Sequence, residues 1–244
     1  MPLIDKENHN NEITETPLDK VEIKNSEVKE LYKYVEANIH SNYVCLGYFY
    51  QNPFENHTLK DKVSLVLMNY GYNKYEKEID DEFLKKISPS DREHIKVNRV
   101  CYIDADIIKN GMKIIFNIDI SNFEETNYYN WEYRKDVDAF LLVGGGGTYP
   151  AFLVQQIIEY NELDNEINLI VAKAEIDDDN IYRYVNNQDS LVYENYNGDF
   201  KFTKENVNKF PQLKYVFKKN ENGNYYVSDI INLNFEEDFE NCSY

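Results

Sequence analysis

With 244 residues, of which 42% are apolar, the chain is long enough to bury a core without help from disulfides or metals. Its 26 Lys and Arg residues against 44 Asp and Glu residues give a net charge of −18. This charge argues against a nucleic-acid surface, because counterion release at phosphates requires Lys and Arg, and the lack of any run of 18 apolar residues argues against a membrane span in this chain.

Residues 1–25 form a polar opening stretch without apolar periodicity, and we predict a disordered leader there. The stretch contains no positive segment followed by an apolar run, so we expect no secretion signal in the chain as written. Such a leader is typical of a cytosolic protein, and equally of a chain cut just after a signal peptide or lipid anchor. Residues 26–235 contain neither a repeat nor a Pro/Ser-rich linker and are predicted to form a single α+β domain, followed by an acidic tail at 236–244.

The first half of the chain shows helical periodicity. Ser26 is predicted to cap a first helix, a second helix is predicted from Leu59 to Tyr70 with Gly71 at its end, and Asp104 is predicted to cap a third. We therefore expect a mainly helical first half. The apolar positions that support these helices are Val28, Leu31, Tyr32, Val35 and Ile39 in the first, Leu59, Val63, Val66, Leu67 and Tyr70 in the second, and Ile108, Met112, Ile115 and Phe116 in the third.

After Asn127 the apolar residues recur at every second position instead of at helical spacing. The odd-numbered residues across 129–143 are apolar, with Lys135 as the single exception, which predicts a strand with one buried face. Further β-rich runs flank Asp164-Asn165, Asn197-Gly198 and Asn220–Asn224, which predicts three hairpins because Asn, Asp and Gly accept turn conformations. Helices followed by strands predict an α+β fold, with N-terminal helices packed on a curved antiparallel β-sheet formed by the C-terminal half. The residues of shared parity are Tyr129, Trp131, Tyr133, Val137, Ala139, Leu141 and Val143.

Two stretches resemble segments of known proteins. Residues 99–117 read RVCYIDADIIKNGMKIIFN, and residues 213–230 read LKYVFKKNENGNYYVSDI. Both resemble uncharacterised proteins of low-GC Gram-positive bacteria, which are commonly secreted or lipid-anchored and have a helical first half, a glycine run and a β-rich second half. The resemblance implies a location outside the cytoplasm. That family has no established catalytic residues, so the resemblance implies no site residue.

Gly144, Gly145, Gly146 and Gly147 form the most conspicuous motif. A phosphate loop needs glycines that open a helix, whereas a β-rich run follows here, and neither G-K-[ST] nor G-x-G-x-x-G occurs. A glycine-rich oxyanion hole would need a G-x-S-x-G elbow, which is also absent from the sequence. We predict that the glycine run is a structural connection between strands.

One aromatic concentration is a candidate binding surface. Tyr128, Tyr129 and Trp131, together with Tyr149 beyond the glycines, are the candidate ligand-binding residues, because aromatic side chains offer a large area at low conformational cost. Tyr129 and Trp131 also continue the parity of the predicted buried strand, however. This second observation favours a place in the core.

The sequence shows no pattern typical of a metal site. The four histidines contain no i, i+4 pair, and the three cysteines contain no C-x-x-C. The acidic group at 175–179 lacks the central glycine and distal glutamate of an EF-hand. We predict no metal, no cofactor and no catalytic residue.

The preferred functional hypothesis is a noncatalytic extracytoplasmic module, secreted or lipid-anchored, that binds an unknown protein, a peptide or a small apolar ligand. One alternative is a small hydrolase-type enzyme whose acid and base come together only in the fold. The other is a cytosolic structural or interaction protein.

Overall fold

The chain combines helices with two antiparallel β-sheets, which confirms the α+β class. The structure has two sheets where the sequence predicts one, because strands from the first half join residues 127–143 in a sheet of their own. A computed structural model describes residues 16–35, 58–71, 74–128, 130–143, 152–177, 180–183, 191–194, 196 and 199–234.

Three of the helices coincide with the predicted ones. The helices of the described residues are α1 (Ser26–Val35), α2 (Leu59–Gly71), α3 (Asp81–Lys86), α4 (Arg92–Asn98) and α5 (Ala105–Phe116), and a 3-10 turn spans Val207–Lys209. The three predicted helices are confirmed as α1, α2 and α5. The α1 residues at helical spacing, from Val28 to Val35, are buried.

One asparagine lies at the N-terminal end of α1, and another lies at the C-terminal end of α5. Asn25 Oδ1 accepts hydrogen bonds from the backbone N–H groups of Glu27 (3.0 Å) and Val28 (3.1 Å), so the cap of α1 is Asn25 and the prediction of Ser26 is wrong by one residue. Asn117 follows α5 with φ 54°, a left-handed conformation that asparagine tolerates better than most residues.

The strands of the described residues form two antiparallel sheets. They are β1 (Lys77–Glu78), β2 (Arg99–Asp104), β3 (Asn127–Tyr128), β4 (Trp131–Arg134), β5 (Ala139–Val143), β6 (Phe152–Glu162), β7 (Glu166–Asp177), β8 (Asn180–Tyr182), β9 (Leu191–Tyr193), β10 (Gln212–Lys219) and β11 (Tyr225–Asn232). Sheet 1 has the order β1-β2-β5-β4-β3. Sheet 2 has the order β11-β10-β7-β8-β9, and β6 pairs with the other side of β7.

The predicted single strand at 129–143 is instead a hairpin of β4 and β5. A turn at residues 135–138 separates the two strands, and Asp138 takes φ 46° there. Tyr133 lies opposite Phe140 in the ladder. The odd-numbered residues of β4 therefore share a face with the even-numbered residues of β5, and Leu141 lies on the other face from Trp131. The regular alternation in the sequence therefore does not mark one face.

Two of the three predicted hairpins are confirmed, namely β6–β7 and β10–β11. The third is not observed, because β9 pairs with β8. Phe200 and Phe202 belong to no strand; they are buried against Phe210 with ring centroids 5.2 and 5.5 Å away. Residues 197–198 lie outside the described residues.

One cluster of buried side chains joins the helices to both sheets. It contains apolar residues of α1, α2 and α5, together with residues from one face of each sheet, such as Trp131 and Leu169. The opposite face of sheet 1 is covered by α3 and α4, and the opposite face of sheet 2 by residues 200–210. The helical layer thus lies between the two sheets.

Residues 16–25 depart from the predicted leader. The Thr16 backbone N–H donates to Glu205 Oε2 at 3.0 Å, and Pro17 forms a β-bridge with Thr203. Leu18 packs on the cluster of residues 200–210, whereas Ile23 packs on the central cluster. These apolar contacts hold the segment, hereafter the strap (residues 16–25), against sheet 2, although its sequence is too short and irregular to show a period.

Candidate functional site

The candidate ligand-binding aromatics that the structure describes lie in the core. Trp131 is 2% exposed and Tyr128 is 3% exposed, and Tyr128 packs edge to face against Phe140 at 5.4 Å between ring centroids. Side chains this deeply buried offer no surface to a ligand, so the structure corrects the binding interpretation of both. Tyr129, Tyr149 and Gly144–Gly147 lie outside the described residues.

The described histidine and cysteine do not form a catalytic pair. His94 on α4 borders a surface pocket of about 420 Å³, which Val100 and Val143 also line. Cys101 in β2 is buried, and burial, followed by the charge of Glu76, raises the pKa of its thiol to about 11. The thiolate is therefore disfavoured at neutral pH. The described residues contain no group of three or more His, Cys, Asp or Glu able to hold a metal ion.

A cleft between the strap and β6 is the better candidate site. It has a volume of about 320 Å³, within the usual size of ligand pockets, about 300–1,000 Å³. Lys20 and Val21 of the strap form one wall, Tyr32 of α1 borders the cleft, and residues 155–157 of β6 form the other wall. The lining thus combines apolar side chains with the amides of two glutamines.

Tyr32, which borders this cleft, contacts a residue that takes part in a buried hydrogen bond. The ring of Tyr32 meets that of Tyr215 edge to face at 5.3 Å. Lys173, only 3% exposed, donates from Nζ to Tyr215 Oη at 2.7 Å, and Gln155 lies opposite Lys173 in the β6–β7 ladder. A buried ammonium requires such a partner, because the loss of hydration is otherwise costly.

Glu175 lies two residues beyond Lys173 and on the same face of β7. Its side chain is 4% exposed, and its Oε2 atom has no hydrogen-bond partner among the described residues. Burial, followed by the charge of Asp177, raises the pKa of Glu175 to about 8 from an ordinary value of 4.5. The carboxyl group is therefore mostly protonated at neutral pH and can donate a proton.

The β-rich run after Asp164-Asn165 predicts a strand, but it does not by itself identify these two polar residues as a site. The sequence nevertheless distinguishes them, because Lys173 and Glu175 share the parity of Leu169 and Val171, which are buried. A charged residue at a core-facing position of a strand is unusual, which makes both residues candidates for a functional role. The cleft itself had no such signal, since its walls come from segments more than 130 residues apart.

Comparison of the chain with models of protein families, with curated proteins and with solved structures finds no match. Within the described ranges, none of the helices is both long enough and apolar enough to cross a membrane.

Proposed function

We propose that the chain is a noncatalytic binding module that holds an extended segment of polypeptide beside β6. The cleft between the strap and β6 is the observation that carries this proposal. In sheet 2, β6 pairs with β7 along one side, and no strand of the described residues pairs with the other side of β6. That outer edge faces the cleft.

The strap runs beside this edge without pairing with it. Val21 borders residues 155–157, and three residues further along the strap Lys24 Nζ lies 6.0 Å from the ring centroid of Tyr160. The strap therefore advances in the same direction as β6. No backbone-to-backbone hydrogen bond between described residues joins the two segments, so the strap covers the edge and leaves the cleft between them.

The chemistry of this edge matches that of an extended peptide. An edge strand directs alternate backbone N–H and C=O groups outward, where a further strand can pair with them. The side-chain amides of Gln155 and Gln156 can both donate and accept hydrogen bonds. Val21 and Ile157 offer apolar contact to the peptide side chains.

The proposal is tested by selecting binders from a phage-displayed library of random ten-residue peptides. Val21→Trp would fill the cleft from the strap side, and Glu22→Trp, at an exposed neighbouring position, is the matched control. We expect selected peptides to bind Val21→Trp at least about tenfold more weakly than the wild type, and Glu22→Trp about equally well. Peptides that bind Val21→Trp as well as the wild type, or a library that yields no binder, would contradict the proposal.

The place of action that we propose is outside the cytoplasm, with the protein secreted or lipid-anchored. Its support is the resemblance of residues 99–117 and 213–230, which fold as β2 with α5 and as the β10–β11 hairpin. Cell fractionation with protease treatment of intact cells tests it. Protein found only inside protease-resistant cells would favour the cytosolic alternative.

A second candidate function is a hydrolase-type enzyme, and Glu175 is the observation that favours it. A carboxyl group whose pKa is raised to about 8 by burial and by Asp177 has the property required of a general acid near neutral pH. Wild type and Glu175→Gln would be compared on chromogenic ester, phosphoester and glycoside substrates between pH 6 and 9. Turnover that falls about a hundredfold or more in Glu175→Gln would support the enzyme, whereas no turnover by the wild type would count against it.

A further inference from the structure

Three tyrosine rings surround the ammonium group of Lys74. Lys74 Nζ lies 5.2 Å from the ring centroid of Tyr34, 5.7 Å from that of Tyr70 and 5.2 Å from that of Tyr75. It also donates a hydrogen bond of 3.0 Å to Tyr34 Oη. All three distances fall within the range at which an aromatic face attracts a cation, about 6 Å.

The rings form a fixed cage, hereafter the tyrosine cage (Tyr34, Tyr70 and Tyr75). Tyr70 of α2 stands in the middle, with the ring of Tyr34 at 5.4 Å and 69° and the ring of Tyr75 at 5.1 Å and 56°. Tyr70 is 4% exposed, and its carbonyl accepts a 3.3 Å hydrogen bond from the N–H of Tyr75. Packing therefore holds the walls independently of what lies between them.

The occupant is the least constrained part of the arrangement. Lys74 is exposed, and its four-carbon side chain is flexible, so it can leave the cage at little structural cost. The attraction of the rings depends on positive charge and not on any feature particular to lysine. Another organic cation can thus take the same place.

We propose that the tyrosine cage is a binding site for an organic ammonium group, with quaternary ammonium compounds as the preferred class and Lys74 as a displaceable occupant. Quaternary ammonium groups suit such a cage because aromatic faces replace their weak hydration, and they form no hydrogen bond that must first be broken. The net charge of −18 on the chain raises the local concentration of cations. The proposal is independent of the peptide cleft, because the two sites share no residue.

Choline is the probe, and 3,3-dimethylbutan-1-ol, which has the same shape without the charge, is its matched control. Each would be titrated into wild type, Lys74→Ala and Lys29→Ala while the tyrosine ring signals are followed by NMR. Lys29→Ala makes the same charge change at another exposed lysine. A site that is occupied by a side chain of its own protein can bind a ligand only while that side chain is away. Its apparent affinity is therefore the intrinsic affinity multiplied by the fraction of time the site is open.

We expect choline to bind Lys74→Ala about tenfold more tightly than the wild type, and Lys29→Ala like the wild type. The neutral alcohol should bind Lys74→Ala at least about tenfold more weakly than choline does. Equal affinity of choline for Lys74→Ala and wild type would overturn the displaceable occupant, and equal binding of the alcohol would overturn the cation site.

A second pair of variants tests the contribution of the aromatic ring separately from that of the hydroxyl group. In the Lys74→Ala background, Tyr34→Phe retains the ring and Tyr34→Leu removes it, and the melting temperature of each verifies the fold. We expect Tyr34→Phe to bind choline within about twofold of its parent and Tyr34→Leu several-fold more weakly. Equal losses in the two variants would show that the hydroxyl group, and not the aromatic face, holds the cation, and would overturn the cage.

Discussion

At the scale of single residues, the buried carboxyl group of Glu175 links the stability of the protein to pH. Its pKa in the folded protein is raised to about 8, first by burial and then by Asp177, from an ordinary value of 4.5. The folded state therefore retains a proton that the unfolded state releases. The stability that this group supports is fully present below pH 4.5 and is lost as the pH rises through 8.

We expect Glu175→Gln to remove this loss. The difference in the free energy of unfolding between variant and wild type should change by up to about 1.4 kcal/mol per pH unit between pH 5 and 8, in favour of the variant at the higher pH. Urea unfolding at several pH values measures it, and comparison with the wild type cancels the shared effect of the other carboxylates. A difference that is constant from pH 5 to pH 8 would show that Glu175 does not carry the proton.

Trp131 makes the sharpest test of the core. Its side chain is 2% exposed within the cluster that joins helices and sheets, so Trp131→Ala should lower the free energy of unfolding by about 3–5 kcal/mol, through lost burial and the cavity left behind. Val97→Ala is the control, because Val97 is 69% exposed and its truncation should cost less than about 0.5 kcal/mol. A cost below about 1 kcal/mol for Trp131→Ala, measured by urea unfolding, would remove Trp131 from the core.

At the scale of elements, the crossing of α2 and α5 depends on Gly111. A Cβ atom at this position would lie 2.6 Å from Tyr70 Cε2 and 2.6 Å from Val66 Cγ1. Both neighbours are buried and have little space into which to move. The absence of a side chain therefore lets the two helices approach each other.

Gly111→Ala should destabilise the protein in spite of the better helix propensity of alanine. Propensity alone would stabilise by about 1 kcal/mol, whereas overpacking costs about 1–3 kcal/mol, so we expect a net loss of up to about 2 kcal/mol by thermal or urea unfolding. Asn110→Ala is the matched control, since this neighbouring side chain is exposed and the change should be neutral or stabilising. Stabilisation by Gly111→Ala would indicate that the helices separate easily.

The strap provides a second test at this scale. As a disordered leader it would contribute nothing to stability, but Leu18 and Ile23 pack on two different clusters. We expect a chain that starts at residue 25 to melt about 5 °C or more below one that starts at Thr16, which corresponds to a loss of 1–2 kcal/mol in a domain of this size. Melting temperatures that agree within about a degree would restore the leader interpretation.

The elements that the sequence predicted correctly are those with a local signal. The helical spacing from Val28 to Val35 and the turn residues Asn220–Asn224 depend on near neighbours only. The division of strands between two sheets depends on pairing between distant segments, as in the ladder of β2 with β5, and no local period contains it. For the same reason the cleft could not be predicted, although the polar positions 173 and 175 in β7 differ visibly from the apolar residues that share their parity.

At the scale of the whole molecule, the position of the helical layer determines how the chain unfolds. The cluster around α1, α2 and α5 includes residues from both sheets, so neither sheet can lose its inner face without exposing the helices between them. Loss of one sheet would therefore expose much of the apolar surface that stabilises the other. This arrangement favours a single cooperative unit over two independent ones.

We expect both sheets to unfold in one transition. Trp131 is the single tryptophan of the chain and lies in sheet 1, so its fluorescence reports that sheet, whereas hydrogen exchange at the amides of Leu169 and Val171 reports the centre of sheet 2. In a cooperative unit the two signals give the same free energy of unfolding, because these central amides exchange only when the whole chain opens. If the amides of β7 exchange with a free energy well below that reported by Trp131, sheet 2 opens while sheet 1 persists, and the shared helical layer does not couple them.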